Sequence, residues 1–179
     1  MNTEYMKNFP TRFFEPFTNK HQEWANGHKI IADMLCARKG YIVMLYGIRG
    51  TGKTRMAVSI AKLYAQKEMR ATYCKAIDIF MAIRGTYNGN NKDESEAISE
   101  FIIPSLLVID EAQERGNSDW EDRLLTYIID KRYDALKDTI LISNQIKQEF
   151  VKSVGQSIAS RILETGAVIE CKWESFRTG

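Results

Sequence analysis

The chain has 179 residues, of which 44% are hydrophobic and 27% charged, a composition typical of one globular domain with its own core. A second sizeable domain is not expected, and no apolar run approaches the ~20 residues needed to span a bilayer. The three cysteines are widely spaced and fit neither a disulfide framework nor paired metal ligands. With no secretory core at the amino terminus, the cytosol is the expected compartment, without membrane contact.

The net charge of +2 hides an uneven distribution along the chain. Residues 1–90 carry 14 Lys or Arg and 6 Asp or Glu, whereas residues 91–122 carry 2 and 10. A basic amino-terminal half suits contact with a polyanion, and an acidic block suits a metal site and a surface loop. Ordinary solvated surface explains the pattern equally well, so charge alone does not predict nucleic-acid binding.

The first strong pattern is a strand that runs into a glycine-rich loop. Residues 41–46 are apolar and predict a strand. They lead directly into Gly47, Ile48, Arg49, Gly50, Thr51, Gly52, Lys53 and Thr54, which match the complete Gly-x-x-x-x-Gly-Lys-Thr pattern of a phosphate-binding loop. Glycines let backbone N–H groups wrap around phosphate oxygens, Lys53 can reach the β and γ phosphates, and Thr54 can bind Mg²⁺. A helix predicted over residues 55–70 completes the required order, which argues against a Gly-rich turn with a merely solvated lysine.

Downstream of the loop, apolar runs alternate with helical patterns. Strands are predicted for residues 71–76, 106–109, 139–143 and 167–173, and helices for residues 77–84, 118–136 and 153–163. Turn-forming residues at 85–93 predict an exposed loop. Strands alternating with helices favour a three-layer α/β fold of the P-loop NTPase type, with a central sheet of about five parallel strands.

The strand at residues 106–109 ends in two carboxylates, Asp110 and Glu111, the arrangement called Walker B. It places acid at the carboxyl end of a central strand, where α/β sheets bind ligands. Asp110 would hold Mg²⁺ directly or through water, and Glu111 would polarise the water that attacks the γ-phosphate. Such an ending is common in isolation but indicates NTP hydrolysis when it follows a phosphate loop.

Two later residues complete the predicted catalytic set of Lys53, Glu111, Asn144 and Arg161. Asn144 ends the strand at residues 139–143, where its amide could reach the attacking water or the γ-phosphate, although Asn also ends strands as a turn residue. Arg161 could stabilise the transferred phosphoryl group from a neighbouring subunit, although an isolated helical arginine is usually solvated or paired.

Taken together, these blocks resemble the DnaC/IstB branch of the AAA+ ATPases, a family of helicase loaders and transposition helpers. The likeness covers roughly residues 20–177 and includes the loop, the Walker B run, residues 127–144, and residues 155–163, which align Arg161 with the family's arginine finger. The ending Trp173-Glu174-Ser175-Phe176-Arg177 is similar to the Trp-acid-Ser-aromatic-Arg ending of DnaC-like loaders. That ending is more specific than the general ATPase motifs.

The resemblance implies an AAA+ helicase loader or loader-like switch of DNA replication, which hydrolyses ATP to ADP with Mg²⁺. It also implies a replicative helicase partner, self-association through an ATP-bridged interface, and contact with single-stranded DNA. Residues 78–87 are similar to the segment of the loaders that touches DNA, so Arg84 could meet a phosphate and Tyr87 could stack on a base. It is equally consistent with the sequence that Tyr87 packs against the protein and that Arg84 is solvated.

The chain departs from DnaC-like loaders at its amino end. Those proteins usually carry a helicase-gripping domain, whereas only about forty residues here precede the first predicted core strand. We predict residues 1–25 as an extension or docking segment and residues 26–179 as the AAA+ domain. Four phenylalanines could dock a partner or simply cover the core: Phe9, Phe13, Phe14 and Phe17.

Three alternative functions remain open at this point. An IstB-like helper would use the same residues to assist a transposase on duplex DNA. A small-molecule kinase would need an acceptor pocket and an Arg-rich lid, whereas the chain has Asp110, Glu111 and Asn144. A non-hydrolysing regulator of a replication complex would not need Glu111.

Overall fold

One parallel sheet of six strands organises the protein. The computed structural model describes residues 3–15, 21–36, 40–88, 93–114, 118–145 and 147–176. The strands are β1 (Met6–Lys7), β2 (Ile42–Tyr46), β3 (Ala71–Lys75), β4 (Leu106–Asp110), β5 (Asp138–Ser143) and β6 (Ala167–Glu170). Their order is β1-β3-β4-β5-β2-β6, and all neighbours are parallel. The sheet has one strand more than the predicted number of about five because β1 is too short to show a pattern.

Helices cover both faces of the sheet and give the three predicted layers. They are α1 (Gln22–Cys36), α2 (Lys53–Gln66), α3 (Ala76–Arg84), α4 (Glu94–Ile102), α5 (Asp119–Asp134) and α6 (Lys147–Thr165). Side chains alternate along β2, so Val43 and Leu45 pack with α1 and α2, while Ile42 and Met44 pack with α3 to α6. No helix in the described ranges is both long enough and apolar enough to cross a bilayer.

Two helices, α1 and α4, and the turn after α3 were not predicted. Helix α4 packs Ala97 and Phe101 inward at a spacing of four residues, but it is short and acidic, and its pattern is weak. Residues 85–93 were predicted as a loop, whereas Gly85–Asn88 forms a 3₁₀ turn and residues 89–92 lie outside the described residues. The predicted strand at 167–173 ends early, at Glu170.

The amino-terminal segment is part of the core. Met6 pairs with Ala71 in the sheet, and Phe9 is buried with its ring 5.7 Å from that of Tyr73. Phe13 and Phe14 pack against the same core, and Phe17 lies outside the described residues. Packing therefore favours the core-covering alternative for the three described phenylalanines. A domain boundary at residue 25 stays a prediction.

A buried arginine fastens the helical layer to the sheet. Arg132 on α5 has no exposed surface and donates hydrogen bonds to the carbonyls of Phe101, Ile102, Pro104 and Asp138 and to the hydroxyl of Thr139. Burial lowers the pKa of Arg132, while the five acceptors hold its charged form in place. These bonds satisfy the carbonyls that end α4 and so fix the chain that enters β4.

We expect Arg132→Met to lower the free energy of unfolding by about 3 kcal/mol, because four buried carbonyls lose their donor. Urea unfolding followed by circular dichroism measures the change. Arg123→Met, on the exposed side of the same helix, is the matched control and should change stability by less than about 0.5 kcal/mol. Equal stability of the two variants would contradict the role given to Arg132.

Candidate active site

A pocket of about 470 Å³ lies where the parallel strands end. This edge is where open α/β sheets bind ligands, and the volume suits a small molecule. Eight predicted residues line it: Arg49, Gly50, Gly52, Lys53, Thr54, Asp110, Glu111 and Asn144. Gly47, Ile48 and Thr51 belong to the same loop without lining the pocket. The structure therefore brings the phosphate loop, both carboxylates and the candidate sensor to one place.

Glycine is required at two points of the loop. Gly47 and Gly52 have φ angles of 131° and 76°, in the region that other residues rarely adopt. A Cβ on Gly47 would lie 2.6 Å from the carbonyl oxygen of Cys171, and one on Gly52 would lie 3.0 Å from the rings of Trp24 and Phe176. The loop conformation thus depends on close packing as well as on backbone freedom.

Lys53 is held by the loop itself. Its ammonium donates to the carbonyl oxygens of Gly47 and Ile48, each at 2.7 Å, and the residue is only 5% exposed. The Ile48 carbonyl also accepts the hydroxyl of Thr51 at 3.0 Å. A buried ammonium needs such acceptors, and phosphate oxygens would be stronger ones because they carry charge. Lys53 is therefore placed to exchange loop carbonyls for an anion.

Both oxygens of the Asp110 carboxylate are hydrogen-bonded. Oδ2 accepts the hydroxyls of Thr54 at 2.7 Å and Tyr73 at 2.9 Å, while Oδ1 accepts the backbone N–H of Glu111 at 2.8 Å. Burial and then the Asp110 charge raise the pKa of Tyr73, which keeps its phenol protonated as a donor. The carboxylate is consequently fixed in orientation.

The oxygens of Thr54 and Asp110 fit Mg²⁺ rather than a softer metal. Mg²⁺ prefers hard oxygen ligands and usually binds through one or two protein groups, with substrate phosphates and waters completing its octahedron. In the part of the chain that the structure describes, no three His, Cys, Asp or Glu side chains cluster as a metal site of their own. The donor set therefore suits a cation that arrives with a phosphate ligand.

Glu111 is engaged by a lysine that sequence analysis did not single out. Its Oε2 lies 2.8 Å from Nζ of Lys75, and the hydrogen bond and charge of Glu111 raise the pKa of Lys75. The pairing follows from the sheet, since Lys75 and Asp110 are partners in the β3–β4 register. Glu111 has a φ of 51°, a conformation that costs a non-glycine residue about 1–3 kcal/mol. Lys75 thus holds the candidate base to one side of the pocket.

Arg161 does not reach this pocket. It lies on α6, where its guanidinium pairs with Asp130 at 3.2 Å, donates to Ser157 and sits 5.5 Å from the ring centre of Tyr133. These contacts join α6 to α5 within the same chain. A catalytic role for Arg161 would therefore have to be exercised on the pocket of another subunit.

Arg84 and Tyr87, the candidate DNA contacts, form a separate aromatic cluster. Arg84 pairs with the buried Glu121 at 2.9 Å and stacks on Trp120, 4.8 Å from its ring centre. Tyr87 donates to Glu94 at 3.0 Å and keeps 57% of its surface exposed. Arg84 is thus paired rather than simply solvated, while the ring of Tyr87 remains available for stacking.

Several residues of the site were missed by sequence reasoning. Beyond the predicted set, the pocket is lined by Arg12, Phe13, Arg55, Tyr73, Lys75, Ile142 and Phe176. Tyr73 and Lys75 lie on a predicted strand, but the pattern does not say which strands are neighbours. Phe176 was noted only as part of the carboxyl-terminal motif, whose last residue, Arg177, lies outside the described residues.

Comparison with known proteins adds two kinds of relationship. A family model described as IstB-like ATP binding protein matches residues 12–179. The replicative helicase loader DnaC of Escherichia coli K12 is 25% identical over 133 residues, which make up 74% of this chain and 54% of that protein. The chain therefore spans about half the length of this curated relative.

Solved structures establish the fold. A crystal structure of the DnaC helicase loader matches with a TM-score of 0.76 and 22% identity over 90% of this chain and 99% of that chain. The replication initiator DnaA bound to AMPPCP and single-stranded DNA matches with a TM-score of 0.73 and 20% identity over 97% of this chain and 51% of that one. The predicted fold, a three-layer P-loop NTPase of the AAA+ type, is confirmed.

Mg²⁺ should increase the affinity of the protein for ATP, and we expect Asp110→Asn to reduce this increase. The reduction should be at least on the order of tenfold, the loss typical when a residue that only supports a metal ligand is replaced. The amide keeps the shape of the carboxylate but loses its charge. Titration calorimetry of ATP in Mg²⁺ and in EDTA measures the affinity with and without the cation. Asp119→Asn, at an exposed position, is the control. An unchanged Mg²⁺ effect in Asp110→Asn would rule out Asp110 as the metal-binding residue.

Proposed function

The chain belongs to the family of IstB-like ATP-binding proteins, and we propose that it is an ATP-hydrolysing AAA+ protein of DNA replication, a helicase loader or loader-like switch acting in the cytoplasm. The observation that carries the proposal is the meeting of the phosphate loop, Asp110, Glu111 and Asn144 in one pocket. Each group has a matching task in phosphoryl transfer to water.

Binding of ATP or ADP begins with the loop. Backbone N–H groups of residues 47–54 would surround the β and γ phosphates, and Lys53 would leave the carbonyls of Gly47 and Ile48 for the more negative phosphate oxygens. Thr54 and Asp110 would hold Mg²⁺ between them. When bound, this cation neutralises charge on the β and γ phosphates.

Hydrolysis requires a water that attacks the γ-phosphate in line. Glu111 would orient this water and accept its proton, for which its carboxylate has to leave Lys75. Asn144, half-buried at the end of β5, would hold the water or a γ-phosphate oxygen through its amide. The ion pair with Lys75 thus represents a resting arrangement from which the base is released.

Self-association through an ATP-bridged interface is the proposed setting for Arg161. Its guanidinium could reach the γ-phosphate of a neighbouring subunit and stabilise developing charge. One observation supports this: Arg161 lies away from its own pocket. To act in another subunit, its guanidinium would exchange Asp130 for a phosphate.

Single-stranded DNA and a replicative helicase are the proposed macromolecular partners. The name of the DnaC relative states that it loads a replicative helicase, and the DnaA structure of similar fold contains single-stranded DNA. In this chain, the exposed ring of Tyr87 beside Arg84 is suited to base stacking and phosphate contact. Binding would be sequence-tolerant, because neither contact distinguishes one base from another.

An IstB-like transposition helper is the second candidate function. The family model that matches the chain is named for IstB rather than for a helicase loader. The two functions differ in the nucleic acid they need, since a helper would assist a transposase on duplex DNA. Preference for single strands over duplex therefore discriminates between them.

The test of the proposed function is ATP hydrolysis by the purified chain with Mg²⁺, alone, with single-stranded DNA and with duplex DNA. We expect turnover that single strands stimulate, and a loss on the order of 10²-fold or more in Glu111→Gln, since general-base catalysis typically contributes that much. Glu100→Gln is the matched control because Glu100 pairs with Lys7 outside the pocket. Stimulation by duplex alone would favour the transposition helper.

One outcome of the hydrolysis test would refute the proposed enzymatic activity. Normal ATP affinity with no turnover under any condition would make the protein a nucleotide-gated regulator. Retained turnover in Glu111→Gln would instead remove only this residue from the catalytic role.

We expect Lys75→Ala to raise turnover without DNA by several-fold, because the Glu111 carboxylate is freed from its ion pair and can turn toward the attacking water. Steady-state hydrolysis at saturating ATP measures the change. Lys7→Ala removes a comparable ion pair with Glu100, at 3.1 Å, and should leave turnover unchanged. Slower turnover in Lys75→Ala would mean that Lys75 supports the reaction instead of restraining Glu111.

A further inference from the structure

We propose that Trp173, together with Trp24, is a positioning residue that sets the direction of the phosphate-binding amides in residues 47–54. The inference rests on the proposed nucleotide binding and deepens it. It also gives a physical task to the carboxyl-terminal motif, of which Trp173 and Phe176 are the aromatic members.

Three consecutive carbonyls of the loop each accept a hydrogen bond from outside the loop. The indole N–H of Trp173 donates to Thr51 O at 2.7 Å. The Gly52 carbonyl accepts the indole N–H of Trp24 at 3.3 Å, in addition to the backbone N–H of Met56 in the first turn of α2 at 2.9 Å. The backbone N–H of Phe176 donates to Gly50 O at 2.9 Å.

Holding a carbonyl also fixes the amide that follows it. In a planar trans peptide, the C=O and the N–H of the next residue point in opposite directions. Donors that keep the carbonyls of Gly50 and Thr51 on one side therefore direct the N–H groups of Thr51 and Gly52 to the other. The same geometry at Gly52 directs the N–H of Lys53, where the bond from Trp24 adds to the helical bond from Met56.

The loop needs this external support because its glycines do not supply it. Gly50 and Gly52 have φ angles of 88° and 76°, a region that glycine enters and leaves easily. A loop peptide that rotated would turn a carbonyl toward the phosphate position and repel the anion. Fixing the peptides before the ligand arrives removes this cost from binding.

The two tryptophans act from behind the loop. Each is 7% exposed, and neither lines the pocket, whereas Gly50, Gly52 and Lys53 do. Their bonds can consequently persist when the nucleotide binds. Lys53 differs in this respect, because its ammonium must leave its carbonyl partners to reach a phosphate.

The carboxyl-terminal segment is anchored next to the loop. The backbone N–H of Cys171 donates to Tyr46 O at 2.8 Å, directly before the loop begins, and the Cys171 carbonyl packs on Gly47. From there, Trp173 and Phe176 reach carbonyls one residue apart. Trp173 does so through its side chain and Phe176 through its backbone, so the motif holds two neighbouring peptides of the loop.

The test removes the indole N–H and keeps an aromatic ring, in Trp173→Phe and Trp24→Phe. Trp120→Phe is the matched control, since Trp120 lies on α5 against Phe80, away from the loop. Hydrogen–deuterium exchange of residues 47–54 without nucleotide reports the order of the loop. Titration of ATP reports its affinity, and thermal unfolding without ligand reports general stability.

We expect faster exchange of residues 47–54 in Trp173→Phe and an ATP dissociation constant raised about 3- to 10-fold, the loss typical of one hydrogen bond. Trp24→Phe should show a smaller effect in the same direction because its bond is longer, and it carries the test if Trp173→Phe does not fold. Trp120→Phe should match the unsubstituted protein in loop exchange and in ATP affinity.

The outcomes separate this inference from the proposed function. Loop exchange unchanged in both tested variants, or changed equally in Trp120→Phe, would overturn the positioning role. An unsubstituted protein that does not bind ATP would refute the proposed function, whereas the exchange measurement would still decide whether Trp173 orders the loop.

Discussion

The candidate site depends on the hydrogen bonds that the Asp110 carboxylate accepts. It joins three elements, because its oxygens accept the hydroxyl of Tyr73 from β3, the hydroxyl of Thr54 from α2 and the backbone N–H of Glu111. A buried carboxylate is tolerated only when such donors surround it. The donors that satisfy Asp110 also hold the phosphate loop at a fixed distance from the end of β4. Fold stability and the geometry of the pocket therefore share one group.

Most residues that the structure brings together in the candidate site could be predicted from the sequence, because they belong to local patterns. The phosphate loop, the Walker B ending and the strands around them each occupy a few consecutive residues. Contacts between distant residues were not predictable in the same way. Trp173 meets Thr51 across 122 positions, and Lys75 meets Glu111 only because β3 lies beside β4. Helix α4 and strand β1 escaped prediction since each is short and buries few side chains.

Arg161 and Arg84, whose roles the family resemblance implies, differ in the cost of breaking their ion pairs. To act on a phosphate, Arg161 would have to leave Asp130, whose side chain is 34% exposed. Arg84 would have to leave Glu121, which is buried and would lose the cation that compensates its charge. Arg84 is thus more firmly part of the fold, and a phosphate near it would have to be met without breaking this pair. The exposed Tyr87 ring carries no such constraint.

Lys75 lies at the junction between a strand and a helix. It is the last residue of β3 and also the N-cap of α3, whose far end is tied to α5 by Arg84 and Glu121. Helix α5 is in turn fastened to α4 and the sheet by Arg132. A continuous set of contacts therefore runs from α4 and α5 through α3 to Lys75, and Lys75 in turn holds the carboxylate of Glu111.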